Sequence, residues 1–154
     1  MKFLLYICLL MGFTHASDNV KNVVYDLTTG DIKVFERKVL SAIANTKSYY
    51  EANLEELQAS VVIHGGSYKF FIEDLSSSPF KDDTELQKAH QELGKRLASM
   101  ADIYDVEFLM CRVGMEKNKI DKNTLYKFVK LVPNSTIGLI DKQNEGFAYI
   151  PIAK

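Results

Sequence analysis

The feature that most constrains the fold is an alternation. Short apolar runs take turns with stretches whose apolar residues recur every three or four positions. Val20 to Leu27 is rich in β-branched residues and ends at Thr28-Thr29-Gly30-Asp31, which reads as a strand and then a turn. From Asp31 onward, Phe35, Val39, Ala42 and Ile43 fall at helical spacing, with Glu36, Arg37 and Lys38 on the opposite face. Asp31 stands where an N-cap belongs. Leu57 to Ile63 is mostly apolar and closes at His64-Gly65-Gly66. Such near-continuous apolarity suits a strand covered on both faces, as in a parallel sheet.

The second half continues the pattern. Tyr68 to Leu75 reads as a short helix that ends in the polar stretch Ser76-Ser77-Ser78-Pro79. Asp82 and Glu85 form a capping pair for the clearest helix of the chain. There Leu86, Ala89, Leu93, Leu97 and Met100 repeat at three to four residues, up to about Ala101. Val106 to Met110 is a third strand that delivers Cys111 at its C-terminal end, and Gly114 to Lys117 reads as the start of a helix. Tyr126 to Val132 is a fourth strand, stopped by Pro133. Asn134-Ser135 then caps a helix carrying Ile137 and Ile140, Gly146 ends it, and Phe147 to Ile152 is the last strand.

Five strands separated by helices predict an α/β fold with a doubly wound, mainly parallel sheet. Open sheets of this kind bind ligands outside the C-terminal ends of their strands. Three segments converge there: the turn Asp26 to Asp31, His64-Gly65-Gly66, and Cys111-Arg112-Val113-Gly114.

The N-terminus has a different character. Met1-Lys2 supplies a positive start, Phe3 to Phe13 is an uncharged apolar run, and Thr14-His15-Ala16 places small residues before polar Ser17-Asp18-Asn19. This is the layout of a secretory signal peptide over residues 1–16, cleaved near Ala16, with one domain over residues 17–154. The apolar run is shorter than the roughly 20 residues a transmembrane helix needs. Expected consequences are a periplasmic or secreted protein with no stable membrane anchor after cleavage. The alternative is an N-terminal core element. Leu5-Tyr6-Ile7 lacks the small residue expected before a lipoprotein cysteine, and cleavage would remove Cys8.

Nothing in the charge balance, 19 basic against 20 acidic residues, suggests a nucleic-acid partner. Of the two cysteines, the secreted form would retain Cys111 alone. Exported proteins commonly keep paired cysteines. A single one is buried and inert, pairs with another chain, or is used chemically.

Cys111 is the leading chemical candidate. A thiolate is the reactive form, and a nearby cation or helix N-terminus lowers the thiol pKa. Arg112 is the adjacent cation, and the backbone N–H groups of Val113 to Met115 are in position to face the sulfur, Gly114 among them. His64 reaches Cys111 if their strands are neighbours. Read alone, it is a turn histidine bonded to the backbone of Gly65-Gly66. His90 is a mid-helix boundary residue, and His15 leaves with the leader. The histidines and retained cysteine show no metal-ligand spacing, so no metal and no cofactor are expected.

Asp26 to Asp31, with Thr28 and Gly30, faintly resembles a flavin phosphate loop. The flanking carboxylates would repel an anion, so a capping turn is the preferred reading. Asn134-Ser135-Thr136 matches a glycosylation sequon, although a helix cap explains it more simply. Tyr49-Tyr50 and Phe70-Phe71 read as core or subunit contacts.

Taken in order, several phrases resemble the DsrE/DsrF-like family. They are Asn22 to Asp31, Val61-Val62-Ile63-His64-Gly65-Gly66, Val106 to Cys111, Val132 to Ile137, and Glu145 to Ile150. The resemblance covers nearly all of the chain after the leader and is strongest to exported, single-domain members. It implies a three-layer sandwich with a five-stranded, mainly parallel sheet flanked by helices, often assembled as a trimer or hexamer. It also implies sulfur relay through a cysteine persulfide that follows the third strand, a position matched here by Cys111.

The expected function is a periplasmic sulfur-binding or sulfur-transfer protein. Cys111 accepts the sulfur and Arg112 stabilises the thiolate. Asp26, Thr28, Gly30, His64, Gly65 and Gly114 form the binding edge. Sulfur donor and acceptor proteins or small thiols are the partners. The alternative is a non-catalytic oligomeric module holding a small ligand in the same place. A third reading is an enzyme acting on a small thiol.

Overall fold

The computed structural model describes residues 19–153. The expected leader, with Cys8, His15 and the cleavage position near Ala16, lies outside the described residues. A five-stranded sheet organises the rest, made of β1 (Val20–Leu27), β2 (Glu56–Ile63), β3 (Val106–Cys111), β4 (Val129–Val132) and β5 (Ala148–Ile152). All four pairings are parallel and the order is β4-β3-β2-β1-β5. β1 therefore sits between β2 and β5, and β3 lies directly beside β2.

Side chains alternate across this sheet. Val23, Tyr25 and Leu27 of β1, Val61 and Ile63 of β2, and Phe108 and Met110 of β3 face a large core. Its helical cover is α1 (Ile32–Phe35), a π-helical stretch Glu36–Ser41, α2 (Ala42–Ala52) and α3 (Thr84–Asp102). Phe35 stacks on Phe70 at 4.2 Å between ring centroids and meets Phe71 edge-on at 5.8 Å. Phe71 in turn lies 5.3 Å from Phe108. Aromatic contacts of this kind add to the area they bury. From α3, Leu86, Leu93, Leu97 and Met100 are buried, as its three-to-four spacing requires.

The opposite face buries Val24, Val62 and Leu109 beneath α5 (Ser135–Asn144). Ser60 and Glu107 also point to this side. Glu107 pairs with Lys142 of α5 at 2.9 Å and with Lys130 at 2.9 Å, and it accepts from the Ser60 hydroxyl at 3.0 Å. Burial pushes the Glu107 carboxyl up, but the bonds from Lys142, Lys130 and Ser60 outweigh it and bring the pKa to about 2.

Local details depart from the sequence expectations in four places. The N-cap of α3 is Asp83, whose carboxylate accepts from the Leu86 N–H at 2.9 Å; Asp82 does not cap it. The expected helix from Tyr68 to Leu75 is two 3-10 turns, Ser67–Phe71 and Leu75–Ser77. Ile72 interrupts them by bridging to Leu125. The fourth strand begins at Val129 and not at Tyr126. The Tyr126 N–H bonds to Phe71 and the Val129 N–H turns back onto Tyr126, so this stretch bends before it joins the sheet. Finally, the helix expected from Gly114 starts at Arg112, because Cys111 is both the last residue of β3 and the N-cap of α4 (Arg112–Lys117).

Candidate functional site

Strand β3 runs into α4 without a loop, so Cys111 is set at the C-terminal edge of the sheet by two regular elements at once. Its backbone is extended (φ −64°, ψ 112°), and its Sγ accepts the Gly114 N–H at 3.4 Å. Tyr68, fully inside the core, donates its hydroxyl to the Cys111 carbonyl oxygen at 3.3 Å. Gly114 makes that approach possible: a Cβ there would lie 1.7 Å from the tyrosine oxygen. Any larger residue has to displace Tyr68 or α4.

The thiol is poised by opposing influences. Burial raises its pKa, but the Gly114 N–H, the Tyr68 hydroxyl, and the backbone N–H and hydroxyl of Ser135 favour the thiolate. The net shift is downward. Tyr68 moves the other way: burial, its bond to Cys111 and the charge on Cys111 all raise its pKa, so it remains a hydrogen-bond donor. Ser135 opens α5, where Asn134 is the N-cap and accepts from the Ile137 N–H at 2.9 Å. The thiol is thus bonded by the Gly114 N–H at the β3–α4 junction and drawn towards the thiolate by Tyr68, in the turn after β2, and Ser135, at the start of α5.

A cleft of about 420 Å³ opens here, lined by Cys111, His64, Gly65, Gly114, Lys117 and Ser135 among others. Cys111 itself is 6% exposed. Among the expected site residues, the structure therefore brings together Cys111, His64, Gly65 and Gly114. Arg112 is exposed, does not line the cleft, and is not among the groups that hold the thiol. The cation lining the cleft is Lys117, at the other end of α4.

Asp26, Thr28 and Gly30 belong to the neighbouring β1 edge and do not line the cleft. Thr28 donates its hydroxyl to the Ile152 carbonyl at 3.4 Å, and its own carbonyl accepts from Gly66 at 2.9 Å. The two turns cross so tightly that a Cβ on Gly65, whose φ is +65°, would lie 2.9 Å from the Thr28 oxygen. Asp31 accepts from the Val34 N–H at 2.9 Å and caps α1, in keeping with the capping-turn reading.

His64 is not bonded through its ring to the Gly65-Gly66 backbone, as the sequence suggested. Its Nε2 meets Asp26 Oδ1 at 2.5 Å, and Asp26 Oδ2 accepts the Tyr149 hydroxyl at 2.6 Å. The pairing exists because β1 separates β2 from β5, so a side chain at the end of β1 is within reach of both. His90, in contrast, is a boundary residue whose Nε2 bonds to the Ile72 carbonyl at 2.8 Å.

The model of the DsrE/DsrF-like family matches residues 22–152, from the first strand to the last. The chain belongs to the DsrE/DsrF-like family. An uncharacterized protein of Aquifex aeolicus (strain VF5) is 29% identical over 128 residues, covering 83% of this chain and 54% of the relative. The chain thus spans about half the length of that curated relative. A solved structure of a protein of unknown function from Methanobacterium thermoautotrophicum shares the fold, with a TM-score of 0.54 and 23% identity. The match covers 85% of this chain and 98% of that one. As a DsrE/DsrF-like protein, it has the five-stranded parallel sheet flanked by helices that the resemblance implied.

Tyr68, Lys117 and Ser135 line the cleft and Tyr149 bonds to Asp26 beside it, and sequence reasoning singled out none of them for the candidate site. Ser135 was readable as part of a helix cap, but its closeness to Cys111 depends on β4 lying beside β3. Tyr68 carries no sequence signal of its own. The glycine at position 114, inside a short helix, is the trace it leaves.

Proposed function

We propose that this protein carries sulfur as a persulfide on Cys111, receiving it from a donor and passing it to an acceptor. The observation that supports this reading most directly is the poised thiol. The Gly114 N–H, Tyr68 and Ser135 favour the thiolate of a cysteine that lines a cleft, on a fold of the sulfur-relay type. A thiolate is the form that attacks sulfur. In loading, the Cys111 thiolate attacks the outer sulfur of a donor persulfide. The new S–S bond forms as the donor's S–S bond breaks, and the donor leaves as a thiolate with the electron pair. One sulfur atom moves and no external oxidant is consumed.

The Gly114 N–H and Ser135 favour the negative charge of the thiolate on Sγ; in the persulfide that charge moves to the outer sulfur, one S–S bond further out. Lys117 lines the cleft and offers a cation to an incoming anionic sulfur species. Arg112, exposed beside the cysteine, is better suited to contact a docking partner. In this reading the working form is periplasmic or secreted and oligomeric, a trimer or hexamer. It exchanges sulfur with partner proteins or small thiols and needs no cofactor.

The small exposure of Cys111 supports a second reading, a non-catalytic module that holds a small ligand in the same cleft. Mass spectrometry after incubation with a persulfide donor separates the two. A carrier gains about 32 Da, reversible by reductant and absent in Cys111→Ser. A native protein that gains no sulfur, with a thiol that resists alkylation until unfolding, removes the carrier reading.

A further inference from the structure

The cluster formed by Asp26, His64 and Tyr149 has no part in holding the Cys111 thiolate, yet one of its members lines the same cleft. Asp26 accepts from Tyr149 through Oδ2 at 2.6 Å and meets His64 Nε2 through Oδ1 at 2.5 Å. An ionised carboxylate is an acceptor only, so it fixes the proton of the neutral imidazole on Nε2 and leaves the lone pair on Nδ1. His64 directly follows β2, which lies beside β3; its side chain is 27% exposed, and it shares the cleft with Cys111. Asp26 reaches it from β1 and Tyr149 steadies Asp26 from β5. Three adjacent strands therefore converge to orient one imidazole, an arrangement that recurs where a histidine takes up a proton.

The sulfur chemistry has a step that needs such a base. Loading does not, because Cys111 is itself drawn towards the thiolate. Unloading does, because an ordinary acceptor thiol is mostly protonated near neutral pH and must lose its proton before it can attack. We propose that His64 is the general base of the unloading step, with Asp26 and Tyr149 as its positioning residues; this rests on the sulfur-carrier reading. His64 Nδ1 takes the proton from the acceptor S–H. The acceptor sulfur then attacks the outer sulfur of the Cys111 persulfide, forming the acceptor persulfide. The Cys111 S–S bond breaks, the Cys111 thiolate leaves with the electron pair, and the imidazolium returns its proton to solvent. Atoms and electrons balance without a further reactant.

The test follows discharge of fully charged protein to two small acceptors. One is an alkyl thiol that is protonated at neutral pH, and the other an aromatic thiol of low pKa that is already a thiolate. Wild type, His64→Gln, Asp26→Asn and Tyr149→Phe are each charged to completion with glutathione persulfide before mixing. The expected result is that His64→Gln slows discharge to the alkyl thiol about 100-fold, the scale of general-base catalysis. Discharge to the aromatic thiolate slows far less. Asp26→Asn shows the same selectivity with a smaller loss, and Tyr149→Phe a smaller loss still. A loss of packing alone would slow both acceptors together. Equal slowing of both, or no slowing in either His64→Gln or Asp26→Asn, overturns the base assignment while leaving the carrier intact. Wild type that takes up no sulfur at all overturns the carrier reading, and the base assignment with it.

Discussion

On one face of the sheet, Phe35, Phe70, Phe71 and Phe108 interlock beneath α1, α2 and α3. On the other, α5 lies over three buried residues, Val24, Val62 and Leu109, and much of the remaining contact is polar. Glu107 links Ser60, Lys130 and Lys142 there, and Asp26 links His64 and Tyr149 at the strand ends. Ile137, Ile140 and Tyr149 stay largely exposed. The first face buries apolar area and so supplies most of the stability. The second gives up burial to place ionisable groups at defined positions, and Cys111 stands at the edge where the two meet, Tyr68 on one side and Ser135 on the other.

The sharpest way to break this comparison is to cut into the thick face. Phe35→Ala should cost about 3–5 kcal/mol, from lost transfer energy and the cavity left behind, measured by urea unfolding. Val62→Ala on the thin face should cost about 2 kcal/mol. Comparable costs at the two positions would abolish the distinction. Phe35→Ala should also leave the pH dependence of Cys111 alkylation unchanged in whatever protein remains folded.

Gly114→Ala tests the junction. A Cβ so close to the Tyr68 hydroxyl forces overpacking worth about 1–3 kcal/mol, and it disturbs the thiol in the same stroke. Stability and alkylation rate should therefore fall together, unlike in Phe35→Ala. A variant that is destabilised but alkylates with an unaltered pH profile would show that Tyr68 does not govern the sulfur.

Glu107→Gln probes the polar face and should cost about 1 kcal/mol at neutral pH, as expected for a partly exposed ion-pair network. The sign of its pH dependence follows from the depressed pKa. Glu107 ionises at about 2 when folded against an ordinary 4.5, so its contribution is present above 4.5. It is lost as the pH falls from about 4.5 towards 2. The variant should lose less stability than wild type over that window, and parallel acid-unfolding curves would contradict the assignment.

The smallest effect is expected from Tyr68→Phe, which removes one donor beside Cys111 and keeps the ring packed. Alkylation near neutral pH should slow about two- to fivefold, the scale of a single hydrogen bond, with little change in unfolding midpoint. A rate equal to wild type would assign the downward shift of the thiol to Gly114 and Ser135 alone.

Most of the fold was legible because it depends on local patterning. The apolar runs at Val20–Leu27 and Leu57–Ile63, and the three-to-four spacing of Leu86, Leu93, Leu97 and Met100, specify their elements without reference to anything distant. Errors fell where long-range contacts overrule local preference. Ile72 pairs with Leu125 and splits an expected helix, and the Tyr126 N–H bonds to Phe71 ahead of the fourth strand. The site divides in the same way. The sequence by itself determined that Cys111 stands at the C-terminal end of a strand, since the apolar run from Val106 stops there. That the helix begins at once, at Arg112 and not at Gly114, came from the structure. Only the tertiary structure decided its surroundings. The order β4-β3-β2-β1-β5 brings Ser135 and Tyr68 to the sulfur, leaves the neighbouring Arg112 outside, and gives His64 to Asp26. Strand order is set by which faces bury one another across the whole chain, and no short run of residues contains that information.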